Sequence, residues 1–548
     1  MKTLNTDLLI IGGGGAGSRA AYEAKKAQPH LNMKLVVAGR YGSTGSTNLV
    51  ASESLGINAP FNFMEDGDDP EVYTRDMLET GAGLSDPSLC RIIASEACER
   101  VNELMALGLK FDSENLRPIQ RKLSGCTRAR SLTCGGSTGR EIVRVLKKAL
   151  LRSGVEVLEG TRVLRLVQDE EGRVRGALGV TRRKPVFIKA NALVLANGGA
   201  GRIFKHSVNP PSLEGDGWCM AYHAGARLIN LEFFQVGPAV FRPRIMFIIH
   251  SHLWRLSPRL TNGLGEEFLA RYCPPGVDPD EVMYLKAMSY PFSVRSAAMY
   301  LDLAIFKEVM AGRGTPSGGV SFDLRHVGRK MLLERAPITY KMLKRAGVDL
   351  AEETIEIGMV VQNFNGGILI DENGFTGVPG LYAAGEVTGG VHGADRPGGN
   401  NLIDTQVFGY RAGRAAAQDV SQARVEPMRK APPESFETGP LSSKEKEIVA
   451  RSAEVYTRNL TIVRTKKGLQ EVLQFVDENK DRHLPQVENR LTLGEILATA
   501  ARTREESRGT HYREDFPRTD PAWMKRIIIS KGRDGAPNVE ITPMRITP

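Results

Sequence analysis

Along this 548-residue chain the spacing of apolar positions changes character several times, and each change predicts an element or a boundary. Residues 7–27 run from an apolar stretch, Leu8 to Ile11, through a glycine turn into an alanine-rich segment with helical spacing, which predicts strand, turn and helix. After a helical segment near 141, the runs VEVLEG, RVLRLVQ, RGALGV and VFIKANALVLANGG predict a series of strands ending in a second glycine turn. Residues 226–352 read differently, with aromatic and arginine-rich stretches followed by long helical patterns, and predict an inserted domain. From 353 to about 425 the glycine-rich style returns. A Pro-rich, charged linker at 424–441 then leads into apolar spacings that predict a helical C-terminal domain over 441–548. The simplest organisation is an α/β domain in two pieces, 1–225 and 353–425, interrupted by a cap at 226–352 and followed by the helical domain.

Composition narrows the class. The length exceeds what one core supports, so several domains are expected. With 41% apolar and 25% charged residues, neither a disordered chain nor a fibre fits. The 58 glycines point instead to many close backbone approaches of the kind that cofactor phosphates require. Lys plus Arg exceeds Asp plus Glu by 73 − 63 = 10, thinly spread, so no nucleic-acid partner is expected. Cys90, Cys98, Cys126, Cys134, Cys219 and Cys273 show no metal-binding spacing, and free thiols are expected. No apolar stretch approaches the ~18–20 residues of a span, and the first strand follows Lys2 without a signal-peptide core, so a cytoplasmic, non-spanning chain is expected.

Candidate chemistry begins at the first turn. Gly12, Gly14 and Gly17 have the spacing of a dinucleotide-binding turn between strand and helix, with Gly15 and Ala16 inside it. The second strand, MKLVVAG, ends in Ala38, Gly39 and Arg40 without the acidic residue that grips an adenine ribose in the simple fingerprint. A loop of small residues follows, GSTGSTNLVASES, suited to phosphate or a flavin ring.

Four ordered blocks, IIGGGGAGSRAA, LANGGAGRIF, VPGLYAAGEVTGGVHGADRPGGNNLID and ESRGTHYREDFP, resemble the flavoprotein subunits of succinate dehydrogenase and fumarate reductase, a family that includes L-aspartate oxidase and the adenylylsulfate reductase flavoprotein. The resemblance implies a Rossmann-like FAD-binding domain with an inserted α+β capping domain and a C-terminal helical domain. It places FAD against the Gly12–Gly17 turn, Ser46, Thr47, Asn197, Gly198, Gly199, Asp216 and Glu386, the last on ribose hydroxyls. Asn400, Asn401 and Leu402 would open a helix facing the flavin pyrimidine. Ser46 stands where covalent members carry a histidine, which implies non-covalent FAD.

The same resemblance implies a substrate site. Arg396 matches the family's carboxylate-binding arginine, with an ion pair to Asp395 or Asp404 as the structural alternative. Gly237 and Gln362 replace the two histidines that hold a dicarboxylate, so succinate and fumarate are doubtful substrates. Arg255, or else Arg259, falls nearest the family's proton-shuttling arginine. Arg130 is a candidate for the flavin or substrate neighbourhood, with Thr138 as a helix cap before Gly139. The cluster Arg242, Arg244, Arg255 and Arg259, interleaved with aromatics, suits either an anionic substrate or a partner-facing surface, and His250 with His252 makes a poor metal site. The implied activity is hydride transfer between a small carboxylate-bearing substrate and flavin N5, with electrons exchanged with an iron–sulfur partner. An adenylylsulfate-reductase-like enzyme, an aspartate-oxidase-like enzyme and a flavin relay without its own organic substrate remain open alternatives.

Overall fold

The computed structural model describes residues 1–49, 55–242, 244, 247–249, 251–422 and 436–544. Residues 50–54 of the small-residue loop, His250, and 424–435 of the expected linker lie outside the described residues.

After a short strand at Lys2–Asn5, the first domain is built from β1 (Leu8–Ile11), α1 (Gly15–Ala27) and β2 (Met33–Val37), and returns with β3 (Glu156–Glu159), the antiparallel β4 (Thr161–Gln168), β5 (Val174–Thr181) and β6 (Lys184–Lys189), and then β7 (Ala192–Leu195). The cap contributes β8 (Phe234–Arg242), β9 (Arg259–Thr261), β10 (Val320–Asp323) and β11 (Ile355–Phe364). The first domain resumes at β12 (Leu381–Ala383) and α2 (Asn400–Gln422). Strands β12, β7, β1, β2 and β3 form one parallel sheet in that order. β1, β2 and β7 are buried at every position, as parallel strands covered on both faces must be.

Helices α1 and α2 cross on this sheet at close range. A Cβ at Gly413 would lie 2.3 Å from the Ala20 carbonyl oxygen, so only glycine lets the two backbones meet there. The crossing brings both helix N-termini to the carboxyl ends of the strands, where open α/β sheets bind ligands.

The cap has its own core, around Leu253, Trp254, Leu301, Ile305 and Phe322, on the antiparallel sheet β8-β11-β10-β9. Strands β8 and β11 belong to both cores, since Phe234 and Phe364 pack with the main core while Val240 and Ile357 pack in the cap. The expected boundaries at 226 and 352 therefore fall just outside a shared two-stranded stalk.

Three helices, α3 (Ser443–Leu460), α4 (Lys466–Glu478) and α5 (Pro485–Thr503), make the C-terminal domain. Helical spacing ends there: β13 (Lys525–Lys531) and β14 (Pro537–Pro543) form a hairpin that adds to a sheet through pairing of β13 with Leu228 and Ile229. A buried charge chain docks this region, in which Arg504 bridges Glu232 (2.8 Å) and Glu506 (2.9 Å), and Arg508 pairs with Glu506 (2.7 Å).

Candidate active site

The parallel strands end on a cleft holding about 1560 Å³ of atom-free space, its open mouth included. Gly12, Ala38, Ala196 and Ala384, each the residue that follows a parallel strand, line it. Gly12 adopts φ +115°, and a Cβ there would sit 2.1 Å from the Ala196 carbonyl oxygen. A Cβ at Gly17 would come within 1.8 Å of the Gly12 carbonyl oxygen, so the first turn of α1 lies directly on the end of β1. The first turn of α1 carries no acidic side chain, and its positive end faces the cleft beside Gly14 and Gly15.

Most residues expected at a cofactor meet here. Gly12, Gly14, Gly15, Ala16, Ser46, Thr47, Asn197, Gly198, Asp216, Glu386, Asn401 and Leu402 all line the cleft. Thr47 Oγ1 accepts the Gly15 N–H (3.1 Å), tying the small-residue loop to the glycine turn. Gly17 and Gly199 shape the wall from behind, a Cβ at Gly199 meeting Glu386 Oε1 at 2.8 Å. Asn400 faces away, its Oδ1 accepting from Tyr73 Oη (2.8 Å) and Asn58 Nδ2 (2.7 Å), while Asn401 donates to Asn363 Oδ1.

Two polar atoms in this wall are buried without a partner, Asn197 Oδ1 and Gln362 Oε1, and both residues line the cleft. Buried polar atoms of this kind await a ligand. Among the described residues no cation is in ion-pair contact with the Glu386 carboxyl, and the Arg396 guanidinium acts on it only from farther off. Burial pushes the carboxyl up to about 7, against N–H groups of Phe364 and Gly199 that favour the carboxylate. Glycine-lined helix starts, orphaned amide oxygens and an acidic group able to take two hydroxyl donors fit FAD.

Several lining residues carry no sequence signal. Arg162, on β4, binds Asp216 through Nε (2.7 Å) and Nη2 (3.1 Å) and also pairs with Glu214, so Asp216 meets the cleft already engaged. Asn209 donates to Ser46 Oγ (3.3 Å) and to the Gln362 carbonyl (3.1 Å). Phe247 and Ile248 reach the cleft because residues 247–249 fold back on β8, with Val240 N–H donating to the Phe247 carbonyl and Ile249 N–H to the Pro238 carbonyl.

The substrate-side residues separate into two groups. Arg396 is 9% exposed, and its guanidinium donates to Gln235 Oε1 (2.8 Å) and the Pro397 carbonyl (2.8 Å). It forms no ion pair with Asp395 or Asp404. Asp395 instead accepts the Arg396 N–H (2.8 Å) and Gln235 Nε2 (3.2 Å), and Arg396 Nε is buried with no partner. Burial draws this guanidinium below its ordinary value. Of this group only Gln362, on β11, lines the cleft; Gly237 lies on β8 two residues beyond Gln235, and neither of these nor Arg396 is among the lining residues.

The remaining arginines lie elsewhere. Arg255 is exposed, with Nη2 3.9 Å from Met288 Sδ, and Arg259 is 67% exposed and paired with Glu267. Neither lines the cleft, because the short helix Ser251–Trp254 turns Trp254 into the cap core and leaves the next side chain outside. Arg242 and Arg244 are exposed as well, Arg242 pairing with Glu356. Arg130 is buried between Asp68 (2.6 Å) and Asp76 (2.5 Å) over the Tyr73 ring, away from the cleft. Thr138 is not a cap: it is the first residue of the helix Thr138–Arg152, and its hydroxyl donates to the Leu55 carbonyl. His252 Nε2 lies 3.0 Å from Thr339 Oγ1. All six cysteines are free.

A crevice at the strand ends, two helix N-termini facing it and a cap carried on a two-stranded stalk define an FAD-dependent oxidoreductase fold. Residues 7–402 match the FAD binding domain family, and 483–548 match the fumarate reductase flavoprotein C-terminal family. One subunit of the fumarate reductase (CoM/CoB) of Methanothermobacter marburgensis is 33% identical over 96% of this chain and 97% of its own length. L-aspartate oxidase of Streptomyces coelicolor is 31% identical over 96% of this chain and 92% of its own. Among solved structures, Mycobacterium smegmatis Sdh1 in complex with UQ1 superposes with a TM-score of 0.83 at 29% identity, covering 99% of this chain and 95% of that one. The chain belongs to the succinate dehydrogenase/fumarate reductase flavoprotein family and is an FAD-dependent oxidoreductase.

Proposed function

We propose that this chain exchanges a hydride between a small carboxylate-bearing substrate other than succinate or fumarate and non-covalently bound FAD, and passes the electrons to or from an iron–sulfur partner subunit. The observation that carries the reading is Arg396, a buried guanidinium with an unmatched Nε donor and, among the described residues, no carboxylate in ion-pair contact. A carboxylate is the natural complement of such a fork. The dicarboxylate reading is disfavoured because Gly237 and Gln362 replace both histidines.

Flavin supplies the hydride-accepting atom when bound. The chain's own residues position and shield: Arg396 fixes one end of the substrate, Gln235 orients Arg396, and Phe247 with Ile248 keeps water from the reacting face. Ser46, where the covalent members of the family carry a histidine, offers no imidazole for covalent attachment. A multi-subunit enzyme is supported by the Methanothermobacter marburgensis relative, which is itself named as one subunit of its enzyme. The adenylylsulfate alternative loses its motive, since Arg242, Arg244, Arg255 and Arg259 are exposed.

The test is an anaerobic screen of flavin reduction and reoxidation with carboxylic acids on the flavin-loaded protein and on its Arg396→Met variant. A carboxylate that turns over on the native protein and loses about 10- to 100-fold in kcat/KM on the variant is expected, the scale of a charge-assisted bond. Turnover unchanged by Arg396→Met rules the reading out.

A further inference from the structure

A second cavity opens where the cap meets the C-terminal helical domain. It holds about 1260 Å³ of atom-free space, its open mouth included, and shares no lining residue with the flavin cleft. Phe306, Val309 and Met310, at the end of the cap helix Met299–Met310, form one side, and Thr457 and Arg458 of α3 form the other. Strand β11 borders both cavities, through Met359 here and Gln362 in the cleft. The two bodies already touch beside the opening, since Lys307 of the cap helix pairs with Glu514 (2.7 Å).

The lining has an apolar floor and a charged rim. Phe241 and Phe306 are buried, Val309 and Met359 are half-buried, and Met310 is 44% exposed, a large apolar side chain left at the mouth. The two methionines are unbranched and adapt to the shape of what they touch. His206 tilts onto Phe241 (ring centroids 4.6 Å apart), and burial beside Lys205 draws its imidazole below its ordinary value, so at neutral pH it adds an uncharged aromatic face. On the rim the hydroxyls are spent. Thr457 Oγ1 donates to the Ala453 carbonyl (2.7 Å) and accepts the Lys205 N–H (2.8 Å), and Thr461 Oγ1 donates to the Thr457 carbonyl (2.6 Å). Polar recognition therefore falls to the charges. Glu454 is engaged by Lys205 Nζ (3.5 Å), while Arg458, one turn further along α3, is exposed and paired with no carboxylate among the described residues. Two cations against one carboxylate leave one positive charge beside the apolar floor.

We propose that this cavity is a second binding site, for a small monoanion with an apolar body, which lays that body between the cap helix and α3 and its anionic group on Arg458 and Lys205. A ligand held in this way fastens the cap to the helical domain. The site is independent of Arg396 and of the substrate reading.

Naphthoate serves as the probe, titrated by calorimetry into the flavin-loaded protein so that the first cleft is filled. It is expected to bind at one site, with naphthylmethanol, which lacks the charge, and acetate, which lacks the ring, each about fivefold or more weaker. Arg458→Glu, a surface change, is expected to weaken naphthoate about tenfold. Val309→Trp, which fills the floor, is expected to abolish binding, and if that variant fails to fold, Arg458→Glu decides. Arg396→Met is expected to leave the affinity unchanged. Hydrogen exchange in the complex is expected to slow in both 306–310 and 454–461, because the ligand touches both. The proposal is overturned if naphthoate does not bind, if naphthylmethanol binds equally well, or if Arg458→Glu leaves the affinity within about twofold of native. Loss of binding in Arg396→Met also overturns it by placing the probe at the proposed substrate anchor, and protection confined to one of the two segments overturns the bridge.

Discussion

The cofactor cleft and the proposed substrate site beside Arg396 are built on opposite plans. The cofactor wall is made of backbone from contiguous segments: the glycine turn after β1, the loop tied to it by Thr47, and the start of α2. Its tolerances are those of main-chain contact, and a single methyl group exceeds them. The proposed substrate contacts are side chains from distant segments, Gln235 on β8 and Arg396 before α2, and neither lines the cleft. Here the backbone is the frame and the side chains decide.

The contrast is broken most directly at Gly17. Its replacement by alanine forces a carbon to within 1.8 Å of the Gly12 carbonyl oxygen, so the turn and the first turn of α1 must separate. Gly17→Ala is expected to purify without bound flavin, as read from its visible absorbance, with circular dichroism distinguishing cofactor loss from unfolding. Stoichiometric flavin in this variant defeats the backbone-wall account.

This difference also explains what the sequence discloses. The glycine turns lie in short windows whose spacing is itself the signal, and the AAGE block and the NNL helix start are legible through the family resemblance, which holds for Glu386, Asn401 and Leu402 at the cleft but not for Asn400. Tyr290 is 53 positions from Gly237, the glycine whose space it fills, with nothing local to mark it. Arg162 looks like one polar residue of an alternating strand until β4 delivers it to Asp216. Arg130 misleads for the converse reason: its motif position suggests a site, while Asp68 and Asp76, from segments without a motif, claim it. The C-terminal hairpin escapes helical spacing because β14 is largely exposed and shows little apolar pattern.

Glu386 offers a graded test of the cofactor wall. Burial pushes its carboxyl up to about 7 from the usual 4.5, so folding favours the protonated form and the stability of the flavin-free protein falls as pH rises from about 4.5 to about 7. Two ribose hydroxyls donate best to the carboxylate. Binding FAD below pH 7 must then expel a proton, and the affinity is expected to rise by up to about tenfold per pH unit and level off above 7. Glu386→Gln is expected to flatten that slope between pH 5 and 7 in fluorescence titrations of apo-protein with FAD. A native profile already flat over this range removes Glu386 from the ribose site.

The smallest expected effect falls on the cap arginines, and its smallness is informative. A general acid contributes ~10²–10⁴-fold to turnover, so removing a true proton shuttle is conspicuous. Arg259 and Glu267 are 67% and 63% exposed, and a pair so solvated contributes at most about 1 kcal/mol. Among the described residues Arg255 has no carboxylate partner, its Nη2 lying 3.9 Å from Met288 Sδ. Alanine at either position is expected to leave substrate-driven flavin reduction within about twofold of native, and a fall beyond about a hundredfold restores the shuttle. If the exposed set Arg242, Arg244, Arg255 and Arg259 instead faces an acidic electron-transfer partner, the fourfold alanine variant keeps that reductive half-reaction while the KM for the partner rises. The rise shrinks as salt increases, because charges on a solvated surface are screened within ~10 Å at 0.1 M salt, whereas the buried Arg396 contact is not.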